Sequence, residues 1–551
     1  MFVRLIMRTI FPFLCAIAGT CAGGSKQPHV IFILSDDQGW SDVGFHGSND
    51  VWTPNIDALA YNGIILNSHY SENLCTPSRA ALLTGKYPIR NGMQHNVIAD
   101  AAPWGLPLTE KLLPERLNEL GYKSHAIGKW HLGYFKRQYT PTFRGFATHF
   151  GSWSSHQDYF NHRMQAAFLE YEGLDLRDNM EPDWSESGNY TTRLLTEKAE
   201  KLISNHNVTK PLFLYLAHLA PHAGNFDYPL QAPPETVKMF AHVKPIERRV
   251  YAAMLWELDQ SVGRIVKALN DSGMLQDSII AFVSDNGAPT TGLYRNGGNN
   301  WPLKGEKSTP WEGALRTVAA VWSQRISPNR GVMNHLMHLA DWMPTLYVAG
   351  GGNVSDLGEI DGVSHWDFFA RPGAEAPRNE ILHNIDEITR YSAIRMGSYK
   401  YVNGTTFFGY LDGWYGSKNS AEDYNVTAVL GSTVAAILGS RSEKSILRLR
   451  SRAVVNCPAK EPGEIFSPCD PSKGPCLFNL EKDPCERNNL YGSADRNLIE
   501  RMERRLSEFE AARVPAGNER PEGAGDPRFH NHTWTCWRDD EELPLFASLR
   551  F

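Results

Sequence analysis

The stretch Val30-Ile31-Phe32-Ile33-Leu34-Ser35-Asp36-Asp37 decides the fold. Five consecutive apolar residues read as a strand buried on both faces, as in a parallel sheet covered by helices. The run stops in two acids. The same grammar recurs where Ser278 to Val283 gives way to Ser284-Asp285-Asn286-Gly287. A third apolar run, within Lys210 to Ala217, leads into His218 and His222. From about His29 to Phe369 such runs alternate with longer amphipathic stretches, which predicts βα units. Leu112 to Leu120, stopped by Gly121, and Val250 to Asn270 predict helices. Beyond about Pro377 the pattern changes to short strand-like pieces such as Tyr391 to Val402, with Gly, Pro and Cys dense. A charged helix follows from about Asp495 to Ala512. The expected fold class is α/β, a large mostly parallel sheet flanked by helices over 24–376, then a smaller α+β domain over 377–551.

Composition narrows the function classes. The 551 residues carry 55 Lys+Arg against 61 Asp+Glu, a net charge of −6, and 42% are hydrophobic. That excludes a disordered chain and argues against a nucleic-acid binder, which shows a basic stripe. Arg4 and Arg8 before the apolar stretch Ile10 to Gly19, with the small-residue site Thr20-Cys21-Ala22, predict a signal peptide over 1–23. No second membrane segment is expected, so the mature chain is read as soluble, in the secretory pathway, and lysosomal or secreted. Cys457, Cys469, Cys476, Cys485 and Cys536 cluster late, which suggests disulfides whose pairing stays open. A zinc site is the weaker reading, since no C-x-x-C occurs. Acceptor sequons at Asn189, Asn207, Asn270, Asn353, Asn403, Asn425 and Asn531 fit the same compartment.

The ends of the buried strands carry the chemistry. In an open parallel sheet the carboxyl ends converge on one crevice. Asp36, Asp37, Asp285 and Asn286 would form an all-oxygen set suited to a hard cation, Ca²⁺ or Mg²⁺. A single acid there could merely cap a turn; two strands with the same ending point to a ligand. Lys129 and His131, in Gly128-Lys129-Trp130-His131-Leu132-Gly133, supply basic groups beside the acids. The loop Gly297 to Lys307 adds Lys304 and Lys307, and could present Lys307 to an anion without matching a P-loop. Cys75-Thr76-Pro77-Ser78-Arg79, followed by Ala80 to Gly85, reads as a short helix with Cys75 at its N-terminus and Arg79 one turn on. On its own that context predicts a low-pKa thiolate, and its polar flanks argue against a buried structural cysteine.

Cys75-Thr76-Pro77-Ser78-Arg79 with Leu83-Thr84-Gly85 resembles the first signature of the type I sulfatases, and Gly121 to Gly133 resembles their second. The resemblance continues through the Asp36-Asp37 and Asp285-Asn286-Gly287 strand ends and Trp311-Glu312-Gly313. Gly297 to Leu303 and Cys476 to Leu480 are similar to arylsulfatase B, the N-acetylgalactosamine-4-sulfatase, and its relatives. The stretch Ala223 to Tyr228 after His222 is longer than that resemblance predicts and borders the sugar site. The resemblance implies an alkaline-phosphatase-like sandwich whose C-terminal domain holds an antiparallel sheet. It implies one Ca²⁺ on Asp36, Asp37, Asp285, Asn286 and residue 75, and conversion of Cys75 to formylglycine by a formylglycine-generating enzyme. One hydroxyl of the formylglycine hydrate would attack sulfur, with Arg79 and Ca²⁺ stabilising it. Lys129, Lys307 and His222 would contact the sulfate of a sulfated sugar, His222 or Lys307 would protonate the leaving alcohol, and His131 would take the proton that releases sulfate. The expected substrate is N-acetylgalactosamine 4-sulfate of glycosaminoglycans. A zinc phosphomonoesterase or phosphodiesterase, and a non-catalytic sulfated-glycan binder with an unconverted Cys75, are the rival readings.

Overall fold

The computed structural model describes residues 26–292, 294–327, 331–417, 423–457 and 467–539; the expected signal peptide lies outside them. Four strands form the centre: β1 (His29–Ser35), β2 (Lys123–Gly128), β3 (Leu212–Ala217) and β4 (Ser278–Ser284). β1 lies between β3 and β4, parallel to both, and β2 pairs parallel with β3. An antiparallel β5 (Ala319–Ser323) flanks β4. Short strands on both sides extend the sheet to ten among the described residues.

The doubly apolar strands are explained by where their faces go. Ile31 and Ile33 enter one hydrophobic core with Leu212, Leu214, Leu216, Ile280 and Phe282. Val30, Phe32 and Leu34 enter a second with Phe213, Tyr215, Ile279 and Val283. Successive side chains point to opposite faces, so both must be apolar when both are covered. Helix α1 (Cys75–Thr84) packs on the second face through Ala80, Leu82 and Leu83. Helices α2 (Thr191–Asn205) and α3 (Ile246–Asp271) cover the first with Leu194, Leu195, Leu258 and Val262.

The later part of the chain forms a four-stranded antiparallel sheet from Glu380–Asp386, Tyr391–Met396, Tyr399–Asn403 and Cys476–Asn479. Helix α4 (Arg496–Ala511) lays Ile499, Met502, Leu506 and Phe509 against it. Other late segments return to the large sheet: Val434, Ile446 and Leu449 join its first core, and Trp534 and Trp537 its second. The pairing left open in the sequence is Cys457–Cys485 and Cys469–Cys476, with Cys536 outside both bridges.

A buried ionic cluster joins the four-stranded sheet to Tyr70 and to the Glu312 segment that leads into β5. Lys400 Nζ lies 3.1 Å from Glu312 and 2.8 Å from Glu486, Tyr70 donates to Glu312 at 2.7 Å, and Arg395 donates to the Tyr70 hydroxyl. None of the described helices is long and apolar enough to cross a membrane.

Candidate active site

The register of the sheet assembles the site. Leu34 pairs with Ala217, Ala217 with Gly128, and Ser35 with Ser284. Asp36, His218, Lys129 and Asp285 therefore leave the sheet along one edge. The backbone ladder carries on past the strands, with Asp285 N–H donating to Ser35 O at 3.1 Å and Lys129 N–H to Ala217 O at 2.8 Å. Gly128 makes this closeness possible: at φ 106° a Cβ there would stand 1.8 Å from the Ala217 carbonyl oxygen. Helix α1 aims its N-terminus at the same edge. Leu74 precedes it in extended conformation without capping the first turn by a side chain, and Gly85, at φ 69°, ends it.

Around Cys75 the acids and bases interlock. Cys75 Sγ is 3.6 Å from Asp36 Oδ1, and Lys129 Nζ donates to Asp36 Oδ2 at 2.5 Å. Arg79 donates to Asp285 at 2.9 Å and to the Lys129 carbonyl at 3.0 Å, with Asp36 at 3.5 Å. Lys307 Nζ lies 2.7 Å from Asp37, whose Oδ1 also accepts from Asn286 Nδ2 at 2.6 Å. Asp37 and His131 hold φ values of 60° and 58°, strained for residues with side chains.

Two histidines have their tautomers set by carbonyls, which can only accept. His222 Nδ1 lies 2.5 Å from Ala223 O, so in the neutral ring Nε2 is left to accept from Lys307 Nζ at 3.4 Å, with Asp37 Oδ2 3.3 Å from that same nitrogen. His131 Nε2 lies 3.2 Å from Ile98 O, which leaves Nδ1 unprotonated, buried and without a hydrogen-bond partner.

Burial pushes the carboxyls of Asp37 and Asp285 up, the latter to about 7, and neighbouring acids add to both; Lys307 and Arg79 pull them back only in part. Asp36 is also buried, but Lys129, His222, Arg79 and Lys307 hold it well below the carboxylate range. Burial holds His131 and His222 well below their ordinary value. It pushes the Cys75 thiol up to about 12, against Lys129 and Lys307. The low-pKa thiolate expected from the helix N-terminus is thus overturned, and Cys75 is buried rather than exposed among polar flanks. Desolvation by the packed residues around the thiol outweighs the helix dipole.

The donor set suits a hard cation. Asp36, Asp37, Asp285 and Asn286 are fully buried, and Asn286 Oδ1 has no hydrogen-bond partner. Three buried carboxylates face three cations of the chain, so one divalent ion would leave a net charge of +2 for an anion. Among the described residues, ligand atoms of Asp36, Asp37, Cys75 and His222 lie within 4.8 Å of one another.

A cavity of about 480 Å³ opens above Cys75, His131, His222 and Lys307. Arg79, Lys129 and the acids lie beneath it. Two residues expected near the site point elsewhere: His218 Nε2 meets Ser261 Oγ at 3.0 Å, and Lys304 sits 3.4 Å over the Trp311 ring. Sequence reasoning missed Asp100, Ser155, His156 and Tyr294, which form the cavity wall. They lie in irregular segments, where no period or strand end marks them. Phe226, in the long stretch after His222, stacks on Tyr294 with ring centroids 4.6 Å apart.

Comparison with known proteins gives the class. The Sulfatase family model matches residues 28–351. The chain is 36% identical to arylsulfatase J of Mus musculus over 537 residues, 95% of this chain and 82% of that relative. It is 33% identical to N-acetylgalactosamine-6-sulfatase of Rattus norvegicus, covering 57% of this chain and 60% of that relative. Among solved structures, Ps i-CgsB in complex with k-i-k-neocarrahexaose superposes with a TM-score of 0.67 at 26% identity, covering 89% of this chain and 94% of that one. The chain belongs to the sulfatase family and is a sulfatase.

Proposed function

We propose that this sulfatase hydrolyses sulfate esters of sugars, with N-acetylgalactosamine 4-sulfate as the leading substrate, using Ca²⁺ and a formylglycine at position 75. The observation that carries the reading is the convergence of Asp36, Asp37, Asp285 and Asn286 beneath Cys75, with Arg79, Lys129 and Lys307 interleaved. Asp36, Asp37, Asp285, Asn286 and residue 75 would hold the ion. Formylglycine, as its hydrate, supplies the oxygen nucleophile, and Ca²⁺ supplies charge against the sulfate oxygens. Arg79 and Lys129, locked on Asp285 and Asp36, keep fixed positive charge behind residue 75. Lys307 and His222 both line the cavity, with Lys307 Nζ 3.4 Å from His222 Nε2, so the pair would act as general acid toward the leaving alcohol. His131 Nδ1, unprotonated and buried, is the base that accepts a proton when sulfate departs.

The secretory route, to a lysosome or outside the cell, is supported by two disulfides and by exposure of all seven sequon asparagines. Maturation would then require a formylglycine-generating enzyme as partner. Mass spectrometry of the peptide carrying residue 75 from active protein should find an aldehyde, and elemental analysis one calcium; an unmodified thiol in fully active protein would sink the mechanism. One observation favours a zinc phosphoesterase, namely that Cys75 and His222 offer sulfur and nitrogen beside Asp36 and Asp37. Stoichiometric zinc, with activity lost on its chelation, would decide for it.

A further inference from the structure

The upper wall of the cavity differs in chemistry from its floor. Its aromatic side chains are Tyr294, Phe168, Phe407 and Tyr410, the last three 85%, 58% and 81% exposed. They come from separate excursions of the chain that meet at this mouth. Exposed aromatics gathered around one opening are a stacking surface for a flat or chair-shaped ring. One side of the wall is polar. Ser155 Oγ donates to Asp100 at 3.1 Å and lies 2.8 Å from His156 Nδ1. His156 is fully buried, lines the cavity, and its Nε2 has no hydrogen-bond partner. A buried ring nitrogen left unsatisfied calls for a partner from a ligand.

The wall is poor in positive charge. Among the described lining residues Lys307 is the one lysine or arginine, and it is engaged by Asp37. Asp100 and Glu306 line the same cavity as acids. Burial raises both carboxyls, Asp100 to about 7, so what disfavours an anion is the missing cation: a uronate or a second sulfate brought against this wall would lose its hydration with no wall cation to replace it. An uncharged ring loses little on the same transfer and gains contact with the aromatics.

We propose that this cavity seats the leaving group and takes an uncharged ring, a neutral sugar or an aryl group. The aromatics hold it by its faces, and the Asp100–Ser155–His156 chain holds it by a hydroxyl or amide. Carboxylate-bearing neighbours are rejected. The inference rests on the sulfatase reading and narrows its substrate class to singly sulfated units without charged neighbours, which keeps N-acetylgalactosamine 4-sulfate as a free or neutrally linked unit and sets aside the uronate-linked unit of a glycosaminoglycan.

The test is kcat/KM of the active protein on three matched aryl sulfates: an unsubstituted one, one with a ring carboxamide and one with a ring carboxylate. Carboxamide and unsubstituted substrates should agree within about 5-fold, and the carboxylate should fall at least 100-fold, through KM. Phe407→Arg, at an exposed position, should narrow that gap at least 10-fold by supplying the missing cation. Turnover of the carboxylate within 5-fold of the carboxamide overturns the inference and leaves the sulfatase reading standing. A gap that Phe407→Arg leaves unchanged overturns the assignment of the cavity as leaving-group seat. Sulfate release from none of the three overturns the sulfatase reading and the inference with it.

Discussion

Two buried ionic clusters of similar composition lie in this molecule and do different things. At the sheet edge Asp36, Asp37 and Asp285 interlock with Arg79, Lys129 and Lys307. At the seam where the four-stranded sheet meets the Glu312 segment, Glu312 and Glu486 share Lys400, with Arg316 and Arg395 close by. Both are withdrawn from water, and both contain acids that burial pushes up: Asp285 and Glu486 each reach about 7. Both hold side-chain-bearing residues at positive φ, Asp37 and His131 at the edge and Glu486 at the seam; the edge cluster differs in the cavity above it and in the unsatisfied atoms of Asn286 and His131 beside that cavity. The seam cluster is closed over by packed side chains. Buried charge alone therefore does not mark an active site. Charge left incomplete beside an opening does.

The largest effect that separates the clusters is at residue 75. Cys75→Ala should lower sulfate release by at least about 10³-fold, the scale of removing a catalytic group, while the melting temperature stays near that of the parent protein. Cys75→Ser is sharper still. Its single hydroxyl can displace the alcohol to form a serine sulfate, but it lacks the second hydroxyl whose deprotonation would expel sulfate. Intact mass should show one sulfate retained per chain after at most one turnover; sustained turnover without sulfated protein would refute it. Asp285→Ala comes next, with calcium and activity lost together, read by elemental analysis and initial rates.

The seam should respond in the opposite sense. Lys400→Met leaves Glu312 and Glu486 buried without their partner, so unfolding free energy should drop by about 3–5 kcal/mol. Turnover per folded molecule should stay within about twofold, measured by denaturant titration alongside kcat. A large loss of kcat with stability intact would make the seam part of the catalytic apparatus.

The smallest effect is one of pH. His218 is buried and pushed down to about 3, so protons bind the unfolded chain more readily than the folded one. Its contribution is fully present above its ordinary value and is lost as pH falls from about 6.5 toward 3. His218→Asn should retain roughly 2–3 kcal/mol that the parent protein loses between pH 7 and 4.5, read from thermal melts at both values.

What the sequence made legible follows from how local each signal is. The strand-end acids sit at the end of apolar runs, and two signatures bracket Cys75 and Lys129, so the floor of the site could be read in advance. Helix α1 was legible because Pro77 and Gly85 punctuate it. The wall was not, because Asp100, Ser155 and Tyr294 meet through loop paths that carry no period. Strands of small or few residues, such as Ala319–Ser323 and Ile64–Leu66, carry no local signal for a related reason: their burial is decided by neighbours distant in the chain. The thiol is misread from sequence because a helix N-terminus is visible there and the burial around it is not.

The order of strands also sets a clock on biosynthesis. Asp37 N–H meets Asp285 across 248 positions of sequence, so β1 waits for β4 until that length has been made. At about 5–20 residues per second, vectorial synthesis holds the sheet edge open for roughly 12–50 s. On the proposed formylglycine reading, Cys75, only 2% exposed in the finished fold, would meet its modifying enzyme in the later part of that interval, after residue 75 is made and before the fold buries it. On the same reading, a chain refolded from denaturant with its thiol intact would bury the unmodified residue and stay inactive, however native its structure.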